Sequence, residues 1–413
     1  MPETPTRVIM LATYFPKPLN LLMGNWALRQ AQALRRNGIE ITVISLTAWV
    51  PETLALTKGA RAYAACPEWH EWDGLRVFYP RWIWYPVGPT RTLNERYPSV
   101  GLNVGWMSVK RKLLDLVREF RPDLIYAHHT AVNGYVATRI KESTGLSFLV
   151  TDHDFGEIEA CRKYPIRRSM FHEVIRESSG MIAVSRRMES EVRSQFPSAR
   201  ACTIPNGADP VSRSMLESPR PPELRGRLVV FSCGTFYPRK GFPVLIDAFA
   251  SIARKYPDVV LRIAGDGEQK AEIEERIRQN GLEHRVSLLG SLPHSSIIQE
   301  MVWCDVFALI GWDEPFATVY LEALSAGKPV VCCSDGGITD CLRDGEHGFT
   351  VPPRDAAAAG VALDRLLGHE RLRNQFGESA LRLFESSLTW DRHASRMIEL
   401  FSGVLNRRAA IPQ

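Results

Sequence analysis

The sequence predicts an α/β protein of two Rossmann-like, doubly wound parallel-sheet domains, and three observations carry that prediction. The chain has 413 residues, more than one hydrophobic core usually organises. Short β-rich runs alternate with helical patterns almost throughout, as in parallel strands joined by crossover helices. The alternation breaks over residues 212–227, SRSMLESPRPPELRGR, and then starts again.

Taken in order, the first series of strands is RVIMLAT (7–13), EITVISL (40–46), DLIYA (123–127), SFLVT (147–151), GMIAV (180–184) and ACTI (201–204). The proline- and charge-rich segment that follows reads as a linker. A second series comprises RLVVFSCG, VVLRIAG, RVSLLG, CDVFALI and PVVCC. The expected domains are therefore 1–211 and 228–385, joined by 212–227. A helix within 386–413 is expected to pack back on the first domain. Open α/β sheets bind ligands at the carboxyl ends of their strands, so two facing sheets would make a two-walled site.

Composition narrows the function classes. Apolar residues make up 45% of the chain, and no apolar run approaches the roughly 18 residues of a membrane span. The start, MPETPTRVIMLATYFP, lacks the basic flank and apolar core of a signal peptide, so a cytoplasmic protein is expected. Eight cysteines without metal-ligand spacing read as reduced and structural, and no metal site is expected. A net charge of +5 is too small to argue for nucleic acid. Between residues 76 and 121, however, nine Lys or Arg face three Asp or Glu, with Trp82, Trp84 and Trp106 among them. Solvated helix faces account for most such runs. The sharper reading is a surface that rests on anionic lipid, peripheral at the inner face of a membrane.

Chemistry concentrates in DEPFATVYLEALSAGKPVV, which starts at Asp313. Phe316 to Ala326 has strong helix formers, with Gly327 and Pro329 as stops. Thr318 and Glu322 share one face of the first turns. A helix start suits phosphate, and a carboxylate one turn in suits a neighbouring diol. Glu314, before the helix, can reach hydroxyls on the far side of the same phosphate. A nucleotide sugar has that layout, although a capping carboxylate plus an exposed glutamate explains the pair as well. Arg239 and Lys240 follow the strand RLVVFSCG, beside the helix opened by Gly241, and read as a diphosphate clamp or as exposed loop cations. His153 follows SFLVT, and His128 and His129 end the strand before it. Each is a site candidate or a packing residue.

The ordered set resembles a retaining glycosyltransferase of family 4, with the GT-B fold. Glu314 and Glu322 match that family's pair of glutamates separated by seven residues. IAVSRRM from Ile182, IPNGAD from Ile204, GDGEQKAEIEERIRQNGLEHRVSLLGSLPH from Gly265 and DGGITDCLRDGEHGFTVPPRD from Asp335 extend the likeness along nearly the whole chain. The first domain adds YFP with a later Gly24, ALRQAQALRRNGIEITVIS, RPDLIYAHHT and LVTDHDF.

The resemblance implies a role for each matching residue. Glu314 contacts the donor sugar and Glu322 the ribose. Lys240 holds the diphosphate with the backbone amides around Phe316, Ala317, Thr318 and Val319, and the backbone at Val286 lies beside the base. His153 stands near the donor sugar and acceptor, and the chain at Gly24 closes over the phosphates. No cofactor is implied beyond the nucleotide diphosphate sugar itself, and the partners are that donor and a glycan or lipid-linked acceptor. Two positions depart from the pattern. Thr235 follows Gly234 where the family often has arginine, with Arg239 as a candidate replacement, and Ala317 stands where glycine is usual. A sugar-nucleotide 2-epimerase of the same architecture and a degenerate nucleotide-sugar-binding subunit are the competing readings. A dinucleotide oxidoreductase is weaker, because GDG at Gly265 lacks the full glycine fingerprint.

Overall fold

The computed structural model describes residues 7–21, 23–83 and 96–409. The chain divides into one unit of residues 1–206 and 390–413 and another of 207–389.

The first unit is built on an eight-stranded sheet of order β10-β9-β8-β7-β1-β2-β5-β4. Its strands are β1 (Arg7–Leu11), β2 (Glu40–Ile44), β4 (Trp69–Trp72), β5 (Leu75–Phe78), β7 (Leu124–His128), β8 (Phe148–Asp152), β9 (Gly180–Ala183) and β10 (Ala201–Thr203). A small parallel pair, β3 (Thr47–Ala48) with β6 (Arg81–Trp82), stands apart. Strands β1, β7 and β8 are Val-, Ile- and Leu-rich and buried almost end to end, as strands covered on both faces must be. The order reverses at β1, between β7 and β2, and marks the topological switch point.

The sequence reading gave no strand over 47–82. The hairpin β4–β5 is antiparallel and turns at Asp73 and Gly74, both left-handed (φ 49° and 78°). An Asp-Gly pair between WHEW and LRVF is a strong hairpin signal, and it was there to be read. Tyr79, just beyond, is fully buried and donates its hydroxyl to Pro16 O at 2.6 Å, tying the hairpin to the loop after β1.

The helix Trp390–Ala409 belongs to this unit. Its Trp390, Ala394, Met397, Phe401 and Val404 recur at helical spacing on one face and join the sheet's core. It packs on the helix Asn25–Arg36, with Arg36 3.1 Å from Asp391.

The helix Pro98–Phe120 corrects the tryptophan reading. Trp82 and Trp106 are each only 6% exposed. A Cβ at Gly105 would lie 2.1 Å from the Trp82 indole, so the glycine leaves the flat patch on which that ring lies. These rings are core, not a headgroup belt, and Trp84 lies outside the described residues. Apolar side chains do face outward on the same helix, at Val100, Val104 and Met107.

The second unit has a six-stranded sheet of order β13-β12-β11-β14-β15-β16, parallel throughout. Its strands are β11 (Leu228–Cys233), β12 (Val259–Ala264), β13 (Val286–Gly290), β14 (Val306–Leu309), β15 (Val330–Cys333) and β16 (Gly348–Val351). The sequence reading did not include β16, which is short and opens on a glycine. That glycine is required, because a Cβ at Gly348 would lie 1.9 Å from Val330 O. The switch point of this sheet lies between β11 and β14. Residues 212–227 are not a free linker. A short helix (Arg213–Leu216) and a turn (Pro222–Leu224) pack on this unit, with Leu224 buried and Arg220 2.8 Å from Asp305. The division accordingly falls after Asn206 and before Trp390, rather than at 211 and 386.

Candidate active site

In the second unit the loops after β11 and β14 meet at the switch point. Gly241 has φ 69°, and a Cβ there would stand 2.1 Å from Ile310 O, so only glycine allows the two loops to close on each other. Trp312 N donates to Arg239 O at 2.9 Å across the same seam. The β14 loop turns at Asp313, left-handed at φ 54°, whose amide meets Asp335 Oδ2 at 3.2 Å. This turn carries Glu314 inward, where it is 3% exposed and its carbonyl accepts from Gly337 N at 2.9 Å.

Two cations converge on that carboxylate. Lys240 Nζ lies 2.9 Å and Arg239 NH1 3.2 Å from Glu314 Oε1. Lys240 is mostly covered, whereas Arg239 is 45% exposed and keeps much of its guanidinium toward solvent. Arg239, whose direction could not be read from the sequence, therefore points at the same carboxylate as the lysine.

The following helix is shorter than expected and spans Val319–Ser325, with Thr318 as its N-cap. Phe316 is buried in the approach and Ala317 is half-buried. Tyr320 donates to Leu309 O at 2.6 Å and so fixes the helix against the end of β14. Glu322 is one turn in, its amide bonded to Thr318 O at 3.2 Å and its Oε1 2.9 Å from His294 Nε2. The helix that begins at His294 is anchored by a two-pronged pair, Arg262 to Glu300 at 2.7 and 2.6 Å. Burial, and next the Glu322 carboxylate, push the Cys233 thiol well above its usual range, while Lys240 pulls the other way.

The first unit has its own cluster at its own switch point. Gly24 caps the helix Asn25–Arg36 in a left-handed conformation (φ 66°), and a Cβ would stand 2.1 Å from Tyr14 O. Its glycine character follows from packing against the loop after β1, before any ligand is considered. Thr13 bonds Asn133 at 2.9 Å, and Tyr14 packs edge-on against His129 at 5.2 Å. His153 directly follows β8, its Nε2 3.0 Å from Nδ1 of the buried His128. Burial holds both rings well below the usual histidine range, with their neighbouring histidines adding to the effect. Asp152, beside them and 1% exposed, accepts from Thr130 N and Oγ1 at 2.8 and 2.7 Å. Burial nevertheless pushes its carboxyl up to about 6.

The Glycosyltransferase Family 4 model matches residues 23–211 and the Glycosyl transferases group 1 model matches 217–382. The chain belongs to glycosyltransferase family 4. It is 24% identical over 409 residues to a glycogen synthase of Mycobacterium tuberculosis, covering 96% of this chain and 94% of that one. It is 32% identical over 248 residues to the phosphatidyl-myo-inositol mannosyltransferase of Mycobacterium leprae, covering 57% and 63%. The Anabaena HepE structure in complex with UDP-glucose superposes with a TM-score of 0.70 at 20% identity, covering 96% and 99%. The fold of this glycosyltransferase is GT-B.

For a family 4 glycosyltransferase the expected residues sort by unit. Arg239, Lys240 and Glu314 are brought together, with Phe316, Ala317, Thr318 and Val319 leading from Glu314 to Glu322. Gly24 and His153 lie in the other unit. Val286 is set apart from the second unit's switch point. It is the buried first residue of β13, at the amino end. At about 3.3 Å per residue, roughly 13 Å separates it from Gly290 at the carboxyl end. A motif match singled it out, and the strand places it at the end away from the switch point. His294, Asp152 and the loop residue Trp312 were not singled out, although His294 and Asp152 stand just after or at the carboxyl end of a strand.

Proposed function

We propose that this glycosyltransferase is a retaining, hexosyltransferase-type enzyme. It moves a sugar from a nucleotide diphosphate sugar to a hydroxyl of a glycan or lipid-linked acceptor, in assembly of bacterial surface polysaccharide or lipid-linked glycan. The observation that carries the reading is the convergence of Lys240 and Arg239 at the β11/β14 switch point, with Glu322 one turn into the helix that follows Glu314. Fixed cations there stabilise charge that develops on a departing diphosphate, usually the largest catalytic contribution. Arg239 takes the place of the arginine missing at Thr235. Glu322 accepts from the ribose hydroxyls, and Glu314 orients the donor sugar. His153 is the first unit's contact to sugar and acceptor.

Retention by a front-face route is supported by the carboxylates beside His153. Asp152 has both oxygens engaged by Thr130, and Glu157 pairs with Arg167 at 3.1 Å. Asp154, which directly follows His153, is exposed and accepts from Gly156 N at 2.7 Å through one oxygen, so it is the carboxylate whose substitution tests this route. The donor class is supported by the UDP-glucose complex of the Anabaena relative, and a lipid-linked acceptor by the name of the Mycobacterium leprae enzyme. Contact with anionic membrane is supported by the outward Val100, Val104 and Met107, followed by exposed Lys110 and Arg111.

The deciding experiment incubates the protein with a panel of nucleotide sugars and follows hydrolysis by NMR, with the anomeric configuration of the first product recorded. Release of the α-sugar from an α-linked donor supports retention, and the β-sugar overturns it. An isomerised intact donor points to the epimerase, and binding without turnover to a degenerate subunit. Calorimetry with the nucleoside diphosphate, with and without chelator, is expected to give equal affinities, because Lys240 and Arg239 supply the positive charge.

A further inference from the structure

We propose that His128 is a positioning residue that fixes the tautomer of His153, so that His153 Nε2 carries the hydrogen and its Nδ1 is presented as a bare acceptor. The inference rests on the reading of His153 as a contact to the sugar or acceptor. His128 Nδ1 and His153 Nε2 are 3.0 Å apart, and the rings sit 4.9 Å centre to centre at 32°. His128 cannot swing away. It is 1% exposed at the end of β7, its carbonyl accepts from Asn133, and its ring lies edge-on to the Tyr126 ring at 4.8 Å. Burial keeps both imidazoles neutral near neutral pH.

Two neutral imidazoles that share one hydrogen bond have two arrangements. In one, His153 Nε2–H donates to His128 Nδ1, and both rings are Nε2–H tautomers. In the other, His128 Nδ1–H donates to His153 Nε2, and both rings are Nδ1–H tautomers. The Nε2–H form is intrinsically the more stable for a histidine side chain, so the first arrangement wins twice over. The nitrogen left at each end is buried and has no hydrogen-bond partner among the described residues: His153 Nδ1 on one side and His128 Nε2 on the other. The adjoining His129 Nε2 is likewise unpartnered, and the His129 and His153 rings meet at 5.5 Å. Among the described residues no hydrogen-bond donor is paired with His153 Nδ1, and a sugar or acceptor hydroxyl is the donor it suits.

The test is nitrogen-15 NMR of the isotope-labelled protein, with ring nitrogens assigned by through-bond correlation to each histidine's own backbone. His153 is expected to show a protonated Nε2 and a bare Nδ1 in the wild type. His128→Asn places an acceptor near the former Nδ1 and is expected to keep that pattern and most of the turnover. His128→Phe removes the acceptor, and His153 is expected to become a mixture of tautomers. Its kcat is expected to fall ten- to a hundredfold with little change in KM for the donor. A wild-type His153 that carries its hydrogen on Nδ1 overturns the proposal, whether or not any variant folds. An unchanged His153 pattern in His128→Phe does the same. Should the tautomers follow the proposal while His153→Ala retains full activity, the substrate-contact reading of His153 fails and the positioning relation stands.

Discussion

Lys240 Nζ lies 2.9 Å from Glu314 Oε1, and the carboxylate it meets is only 3% exposed. The lysine proposed to hold diphosphate is thus already engaged by the glutamate proposed to hold sugar. Glu314 works against the binding of a bare diphosphate and in favour of a correctly placed donor.

Glu314→Gln is therefore expected to bind nucleoside diphosphate more tightly, on the order of 1 kcal/mol or about fivefold. Transfer is expected to fall on the order of a hundredfold, as for a sugar misplaced by about 1 Å. Glu322→Gln has the opposite binding signature. Loss of a charged hydrogen bond to ribose weakens both nucleoside diphosphate and nucleotide sugar by roughly 1.5 to 3 kcal/mol. Calorimetry on the two variants checks the contrast, and equal weakening in both would refute the division of labour.

Gly24→Ala and Gly241→Ala are each expected to destabilise their own unit. Both positions have φ near 70° and would bring a Cβ to 2.1 Å from a carbonyl oxygen. The left-handed backbone alone costs about 1 to 3 kcal/mol for a residue with a side chain. Urea unfolding measures it. A Gly24→Ala protein of normal stability but weak donor affinity would assign that glycine to the ligand instead of the fold.

The first unit is expected to lose stability as pH falls below about 6.5. His128, His129, His153 and His393 are all held below that value by burial, His393 to about 4. The unfolded chain takes up protons there that the folded chain refuses, so stability present above 6.5 drains away toward the folded values. For His393 the interval from 6.5 to about 4 corresponds to roughly 3 kcal/mol. Asp152 and Glu157, raised to about 6, act the other way. Folded, they keep protons that the unfolded chain has lost, and they regain stability as pH falls through that window. Thermal melts between pH 7.5 and 5 are expected to show a net decline, shallower in His393→Leu. A decline in His393→Leu as steep as in the wild type would show that this ring is not held neutral.

Val104→Asp together with Met107→Asp is expected to abolish sedimentation with anionic vesicles, by placing two charges on the outward face of the helix Pro98–Phe120. The wild type is expected to bind those vesicles, less so with added salt, since each basic residue near such a surface contributes on the order of 1 kcal/mol. Equal sedimentation with neutral and anionic vesicles would remove the membrane contact from the proposed function.

The sequence by itself determined the two parallel-sheet units, their restart and the order of the donor-side residues. These rest on local chemistry: β-rich runs of fixed length, helix formers between stops, and motifs whose members are neighbours in sequence. Even the Asp73–Gly74 hairpin was legible there, though it went unread. Tertiary structure decided what depends on residues far apart in the chain. It buried Trp82 on Gly105, though composition had cast that ring as a membrane anchor. It set Val286 at the amino end of β13, away from the switch point, because a motif match does not measure distance along a strand. It aimed Arg239 at Glu314, and it paired His128 with His153 because β7 and β8 are hydrogen-bonded neighbours in the sheet. A side chain's direction and its partner are fixed only when separate strands come into register, and no periodicity within one segment contains that information.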